Sequence, residues 1–130
     1  MLDASGYEYA SPALSPDGRY IVYGVTKNGV ANLWAQPVEG GEPKQITNFT
    51  SERILWFAFS PDGKYLLTGG LDKVPRLWEV QTGTELRQYE GHSETVFHVA
   101  FSPDGQRIAT SSADNTTKIW ETATGTNLLT

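Results

Sequence analysis

The chain has 130 residues, enough for one domain, and its 38% apolar and 19% charged residues are typical of a folded protein rather than of a disordered one. A net charge of −5, with ten scattered basic residues, argues against nucleic-acid binding, which needs a basic cluster for the phosphates. The chain contains no cysteine, so disulfides and thiolate metal sites are excluded.

No apolar stretch approaches the ~18 residues that a membrane-spanning helix needs, so no membrane partner is expected. Residues 1–6 lack the basic and apolar regions of a signal peptide. A cytoplasmic location is therefore the default expectation.

An internal repeat organises the sequence. Ser-Pro-Asp-Gly occurs at 15–18, 60–63 and 102–105, and a tryptophan preceded by Leu or Ile follows each time, at Trp34, Trp78 and Trp120. A glycine-containing turn comes after each tryptophan. The pattern predicts one segment, 1–130, made of three units at about 7–49, 50–91 and 92–130.

Each unit is predicted to form four strands and no helix. The Ser-Pro-Asp-Gly motif is a turn between the first two strands, because Pro presets φ, Asp suits the next position and Gly accepts positive φ. Short apolar and β-branched runs bounded by turn residues give the strands. They lie at 8–14, 20–26, 31–36 and 44–49 in unit one, at 53–59, 65–69, 75–80 and 85–90 in unit two, and at 95–101, 107–112, 117–122 and 126–130 in unit three.

The first strand of unit two, residues 54–59, is apolar on both faces. A sheet with one face in water would alternate apolar and polar residues instead. The run therefore indicates sheets packed between neighbouring sheets, as in the blades of a β-propeller.

Units two and three resemble the WD-repeat family. The resemblance depends on the Gly91-His92 pair, Phe-Ser-Pro-Asp-Gly at 59–63 and 101–105, and two Asp and two Trp residues: Asp72, Asp114, Trp78 and Trp120. The dipeptide that names the family is Trp-Glu here, at 78–79 and 120–121. The resemblance covers about 80 residues and implies an all-β fold of three four-stranded antiparallel propeller blades.

Unit one is more similar to a related repeat. Its Leu-Ser-Pro-Asp-Gly-Arg-Tyr-Ile-Val-Tyr at 14–23 and Gly-Gly-Glu-Pro-Lys-Gln-Ile-Thr at 40–47 resemble propellers of the TolB type and of prolyl peptidases. It has no Gly-His pair. Two origins stay open for such a chain, a diverged natural array and an engineered chimera.

His92, Thr110 and Asp114 have the residue types of a hydrolase triad, which needs a nucleophile, a base and an orienting acid. The resemblance implies instead a structural network in which these three residues and Trp120 satisfy one another's buried polar groups. Ser112, on the same strand face, is an alternative to Thr110. Unit two has the matching residues Thr68, Asp72 and Trp78 but Thr50 at the histidine position, so its blade is expected to be less tightly tied.

Other candidate sites are interpreted as structural. The motif aspartates, Asp17, Asp62 and Asp104, lie in separate turns, whereas calcium needs six to eight converging oxygens. His98 lies among apolar residues and is expected in the core or at the rim. With two histidines and no cysteine, the chain lacks candidates for zinc. No catalytic, cofactor-binding or metal-binding residue is predicted, and the chain is not expected to be an enzyme.

Three blades are too few for a ring, because propellers have four to eight. An open arc leaves one sheet face bare at each end, and covering ~400 Å² of such a face would supply on the order of 10 kcal/mol before entropy costs. The two end faces differ, so a head-to-tail contact between copies is expected. Two copies give six blades and three give nine; the dimer is preferred, then the trimer, then a fragment completed by another chain.

Two classes of function remain. The first is a self-associating assembly or scaffold module that can bind proteins or peptides; the second is the propeller portion of an enzyme or translocation system. Family analogy predicts a partner-binding face, called the upper face below, formed by the starts of first strands and the turns between second and third strands. It carries Arg53, Leu55, Leu71, Thr95, Phe97 and Ala113.

Overall fold

A computed structural model of the protein describes residues 8–9, 12–51 and 54–130. In these ranges the chain forms thirteen β-strands and no helix. No helix that could span a membrane is therefore found in the part of the chain that the structure describes.

The strands form three antiparallel sheets, here called blades one, two and three. Blade one contains β1 (Glu8–Tyr9), β2 (Ala13–Leu14), β3 (Tyr20–Lys27), β4 (Val30–Pro37) and β5 (Lys44–Gln45). Blade two contains β6 (Ile54–Phe59), β7 (Tyr65–Gly70), β8 (Arg76–Glu79) and β9 (Thr84–Gln88). Blade three contains β10 (Val96–Phe101), β11 (Arg107–Ser112), β12 (Thr117–Glu121) and β13 (Asn127–Leu129).

In blades two and three, strands that are consecutive in the chain are neighbours in the sheet, and the same holds for β3, β4 and β5 of blade one. In blade one the predicted first strand is present as two segments, β1 and β2, which both pair with β3. The predicted fourth strand at 44–49 is shorter than expected, because pairing ends at Gln45 and Ile46 bonds back to Leu33 through its backbone N–H. The all-β fold of three four-stranded blades in an open arc is confirmed.

The Ser-Pro-Asp-Gly turns have the same hydrogen bonds in all three blades. In the first, the Ser15 hydroxyl donates to Asp17 Oδ1 (2.6 Å) and accepts the backbone N–H of Tyr20 (3.0 Å). The equivalent bonds recur at Ser60 and Ser102. The glycines of the three turns have φ values of +75°, +76° and +75°, as the motif predicts.

Two apolar clusters fill the spaces between blades. The first joins Val22, Leu33, Ala35 and Ile46 of blade one to Leu66, Trp78 and Val80 of blade two. The second joins Leu67, Leu77 and Tyr89 of blade two to Val96, Val99, Ile108 and Trp120 of blade three. We call the face of a blade that is directed toward the preceding blade its leading face, and the opposite face its trailing face.

Trp34 does not occupy the position of the other two repeat tryptophans. Strands β3 and β4 run to a two-residue turn at 28–29, with positive φ at both residues, so their hairpin is longer than those of the other blades. By strand register, Gln36 takes the position of Trp78 and Trp120. The near-constant spacing of the three tryptophans therefore concealed a two-residue offset.

Candidate functional site: polar networks and end faces

The four residues of the predicted network meet in blade three. The His92 ring places Nδ1 2.8 Å from Asp114 Oδ2 and Nε2 2.7 Å from Thr110 Oγ1. The Trp120 indole donates from Nε1 to the same Thr110 oxygen at 2.9 Å. The network thus links the segment before β10, the turn after β11 and strand β12.

Asp114 collects several donors. Thr116 donates to it through its hydroxyl (2.5 Å) and its backbone N–H (2.9 Å), and Ser93 donates through its backbone N–H (3.2 Å). These hydrogen bonds, with that of the Thr116 hydroxyl the strongest, hold the pKa of Asp114 well below its usual range. Ser112 does not replace Thr110, because its hydroxyl donates to the Glu94 carbonyl and accepts the backbone N–H of Asp114.

The geometry does not suit a nucleophile. The Thr110 hydroxyl is already engaged by Trp120 and His92, and Thr110 is 1% exposed. The His92 side chain has no exposed surface. A substrate has no access to either group, so the network is suited to joining strands rather than to catalysis.

Blade two has a different network of polar side chains. Its Trp78 indole donates to Thr68 Oγ1 at 3.0 Å, as in blade three. Asp72, however, receives Arg76 Nε at 2.8 Å, and Arg76 Nη1 reaches Glu85 Oε1 at 2.6 Å.

The aromatic ring of Phe49 lies beside these polar side chains. It packs edge-on against Trp78 (5.6 Å between centroids), and the Arg76 guanidinium lies 5.5 Å from the Phe49 centroid. Thr50, at the histidine position, lines an open cleft of about 270 Å³ beside these side chains. The sequence had indicated that a histidine was missing here, and the structure shows that an arginine bridges the aspartate instead.

The motif aspartates are engaged in their own turns. Besides the serine hydroxyl, each accepts a backbone N–H two residues later, as Asp62 does from Lys64 (3.0 Å). The serine hydroxyl is the main cause that lowers the pKa of each of these carboxyls. No cluster of acidic or histidine side chains that could hold a metal occurs within residues 8–9, 12–51 and 54–130.

Five of the six upper-face residues are described, and Arg53 lies outside the described residues. Leu71 and Phe97 are exposed by 40% and 46%, and Ala113 is exposed. Leu55 and Thr95 are half-buried. His98 is exposed, with its ring edge-on to Trp56 at 4.8 Å between centroids, so it is not a core residue.

Among the described residues, no blade covers the leading face of blade one. Val38, Val80 and Thr122 are equivalent, because each donates its backbone N–H to the carbonyl of the residue that follows the motif glycine by one position, Arg19, Lys64 or Gln106. Val80 is 1% exposed beneath blade one, whereas Val38 is 48% exposed. Leu14 shows the same contrast: it is 62% exposed, whereas its counterpart Phe59 packs on the first cluster.

The motif turns of neighbouring blades pack on one another. A Cβ added to Gly63 would lie 2.7 Å from Asp17 Cγ, and one added to Gly105 would lie 3.3 Å from Pro61 Cδ. A Cβ added to Gly18 would meet no atom within 4 Å. Each turn glycine thus faces the turn of the preceding blade, and that of blade one faces open space.

The trailing face of blade three is the other end face that no described blade covers. Leu129 pairs with Ile119, as Arg87 pairs with Leu77 in blade two and Lys44 with Ala35 in blade one. Lys44 Nζ donates to the Gln81 carbonyl (2.5 Å) and Arg87 Nη1 to the Thr122 carbonyl (3.1 Å). Blade three has Leu129 at this position instead of a cation, and it is 64% exposed.

Comparison with known proteins agrees with the repeat analysis. The family model of the WD domain, G-beta repeat, matches residues 42–79 and 83–121, more than half of the chain. Each match runs from the outer strand of one blade through the first three strands of the next. The family repeat is therefore offset from the sheet by one strand.

Curated relatives share parts of the chain. The mouse Periodic tryptophan protein 2 homolog is 33% identical over 63% of it, and the probable serine/threonine-protein kinase PkwA of Thermomonospora curvata is 40% identical over 46%. The zebrafish (Danio rerio) WD repeat domain-containing protein 83 is 56% identical over 26%. The chain spans only 9%, 8% and 11% of the length of these three relatives.

Proposed function

This chain belongs to the WD domain, G-beta repeat family, and from that premise we propose that it is a scaffold module that completes its own propeller by self-association. Repeats of this family form non-catalytic propeller domains that bind proteins. The proposal adds that the first protein bound is a second copy of the chain. It applies equally to a natural array and to a chimera.

The observation that carries the proposal is the contrast between Val38 and Val80. The two valines have the same backbone hydrogen bond, yet 48% of one is in water and 1% of the other. Val80 packs against residues of blade one, and no described blade precedes Val38. Exposed apolar surface of this kind favours a covering partner, because burying it is favourable at ~25 cal/mol per Å².

A second copy offers the matching surface. The leading face that is bare in blade one is covered in blades two and three by the trailing faces of blades one and two. The bare trailing face of blade three is the counterpart of those two covering faces. The contact is therefore head-to-tail, and such contacts close into rings when the rotation divides evenly.

The blade count favours the dimer. Each chain has three blades, so two copies give six and three give nine. Six lies within the usual range of four to eight blades, whereas nine does not. The dimer is thus the preferred assembly and the trimer the next.

The solution mass tests the proposal directly. Light scattering coupled to size-exclusion chromatography is expected to give about twice the chain mass of 14.3 kDa, or three times that mass for the trimer. A folded monomer at micromolar concentration would refute self-association.

A charge placed on an end face should separate the copies. Val38→Lys is expected to lower the mass to that of the monomer, because the ammonium would be buried without a partner. The matched control is Leu86→Lys, at a leucine of blade two that is 43% exposed but lies on neither end face. If both variants keep the oligomer, the end face of blade one does not form the contact.

The second candidate is a docking domain within a larger propeller of an enzyme or translocation system. The exposed Leu71 and Phe97 on the upper face favour it, since exposed large apolar groups mark protein-binding surfaces. In that case the end faces would be covered by further blades. A chain that is monomeric and poorly folded alone, but folds when those blades are supplied, would favour this function.

A further inference from the structure

We propose that the contact between copies repeats the register of the contacts between blades, so that the Pro103 turn and Leu129 of one copy lie against Gly18 and Val38 of the next. This inference rests on the proposed self-association and adds the orientation and the residues of the contact. It depends on two sets of contacts that recur between the blades of one chain.

The first set is the packing of the motif turns. The turn glycine of blade two lies against Asp17, and that of blade three lies against Pro61. The packing has a direction, because the glycine of the later blade always faces the turn of the earlier one. Of the three motif glycines, Gly18 alone has no neighbouring motif turn against it. Of the three motif turns, that of residues 102–105 alone has no glycine of a later blade packed against it.

The second set joins the outer strand of one blade to the residues that directly follow the third strand of the next. Lys44 and Arg87 each cross to the following blade, where they bind the carbonyls of Gln81 and Thr122. In the proposed contact between copies, Leu129 takes the position of Lys44 and Arg87. Val38 and its neighbours take the position of the residues that supply the carbonyls. Both leucine and valine are exposed in the single chain.

Because Leu129 stands where blades one and two have Lys44 and Arg87, the contact between copies differs chemically from the contacts within the chain. A cation that binds a carbonyl is replaced by two apolar side chains that exclude water from each other. Leu129 lies at the position of Lys44 and Arg87, and Val38 at the position of Val80 and Thr122, so the proposed register brings the two exposed side chains together and covers both. An isologous pairing of two leading faces would leave Leu129 in water.

Site-directed cross-linking tests this register, because the chain has no cysteine of its own. Arg19→Cys and Pro103→Cys are made in separate chains, mixed, and treated with a short bismaleimide. Both sites are exposed turn positions. The matched control is a single chain with Pro61→Cys and Gln106→Cys, the equivalent pair between blades two and three.

The mixture is expected to give a covalent dimer on a denaturing gel with a yield of about half that of the internal control, because random pairing of the two chains gives about half mixed dimers and only these bring the two cysteines together. Each single-cysteine chain alone is expected to give none. A linked product from one single-cysteine chain alone would overturn the inference, since it requires an isologous contact. So would the absence of product from the mixture when the internal control is linked.

Failure of the inference is distinct from failure of the proposed function. An oligomer by light scattering without the 19–103 link would refute the register and leave self-association standing. A monomeric mass would refute both. In a chain that carries both substitutions, a covalent product that stops at the dimer or trimer supports a closed ring, whereas a continuous ladder supports the register but refutes closure.

Discussion

Thr122 follows the third strand of blade three directly and has a buried hydroxyl oxygen without a hydrogen-bond partner, a group not seen elsewhere among the described side chains. The equivalent residue of blade two is Val80, which packs in the first apolar cluster. A buried hydroxyl without a partner costs free energy relative to a methyl group of the same shape. Thr122 is therefore a weak point between blades two and three.

Thr122→Val should raise the free energy of unfolding by about 1 kcal/mol, because it removes the unpaired hydroxyl and keeps the side-chain shape. Urea unfolding followed by tryptophan fluorescence measures the change. The reciprocal variant Val80→Thr is the control and should lower the same quantity by about 1 to 2 kcal/mol. If Thr122→Val is instead less stable than the parent chain, the hydroxyl forms a hydrogen bond in solution, for example to a water molecule.

Asp114 makes the stability of blade three depend on acid. Its pKa is lower in the folded chain than the value of ~3.9 expected in the unfolded one. Its contribution is therefore present in full above about pH 4 and is lost as the pH falls through the folded-state pKa. Asp114→Asn should be less stable at neutral pH and should lose stability less steeply below about pH 4. Parallel curves of unfolding free energy against pH for the two proteins would contradict this prediction.

At the scale of the element, blades two and three bind the aspartate of the turn after the second strand with different side chains. In blade three a histidine joins the aspartate of the turn to the threonine and the indole. In blade two Arg76 joins the equivalent aspartate to Glu85 on the outer strand. Whether blade two is held together less strongly than blade three, as predicted, therefore depends on how much the ion pairs of Arg76 stabilise it.

Arg76→Lys should lower the free energy of unfolding by about 1 to 3 kcal/mol, because an ammonium cannot place two N–H donors toward both carboxylates as the guanidinium does. The matched control is Lys118→Arg at the equivalent position of blade three, which is expected to be nearly neutral. Equal effects of the two substitutions in chemical denaturation would mean that the bridge adds little.

The sequence was most informative where chemistry is local. The Ser-Pro-Asp-Gly turns and the strands beside them depend on hydrogen bonds within five residues, so the motif alone predicts them. The blade-three network was predictable because the family resemblance supplied the long-range pairing of His92 with Asp114. The resemblance offered no equivalent guide for Arg76, although an arginine four residues after the turn aspartate was visible in the sequence.

Two features required the structure because they depend on register. The offset of Trp34 follows from the length of the β3–β4 hairpin, which the spacing of tryptophans does not report. The unpaired hydroxyl of Thr122 depends on which side of β12 is covered by blade two. Neither can be obtained from residue type and spacing, since both are consequences of strand pairing across the sheet.

At the scale of the whole molecule, self-association should make thermal stability depend on concentration. A partner that binds only the folded chain stabilises it by mass action, so the melting temperature should rise with protein concentration. Differential scanning calorimetry over a hundredfold dilution measures the shift. Val38→Lys should remove the dependence, whereas Leu86→Lys should keep it; a concentration-independent melting temperature for the parent chain would contradict the assembly.

Every described blade is built from strands that are consecutive in one chain, and no strand crosses from one sheet to another. Copies in a ring of such chains can therefore dissociate at the contacts between them while each sheet keeps all its backbone hydrogen bonds. Subunits should exchange between rings at the rate of undocking, without the slow unfolding that strand-swapped oligomers require. If the proposed rings form, mixing tagged and untagged protein under native conditions should then yield hybrid rings, so that the rings would be a dynamic pool rather than a set of permanent complexes.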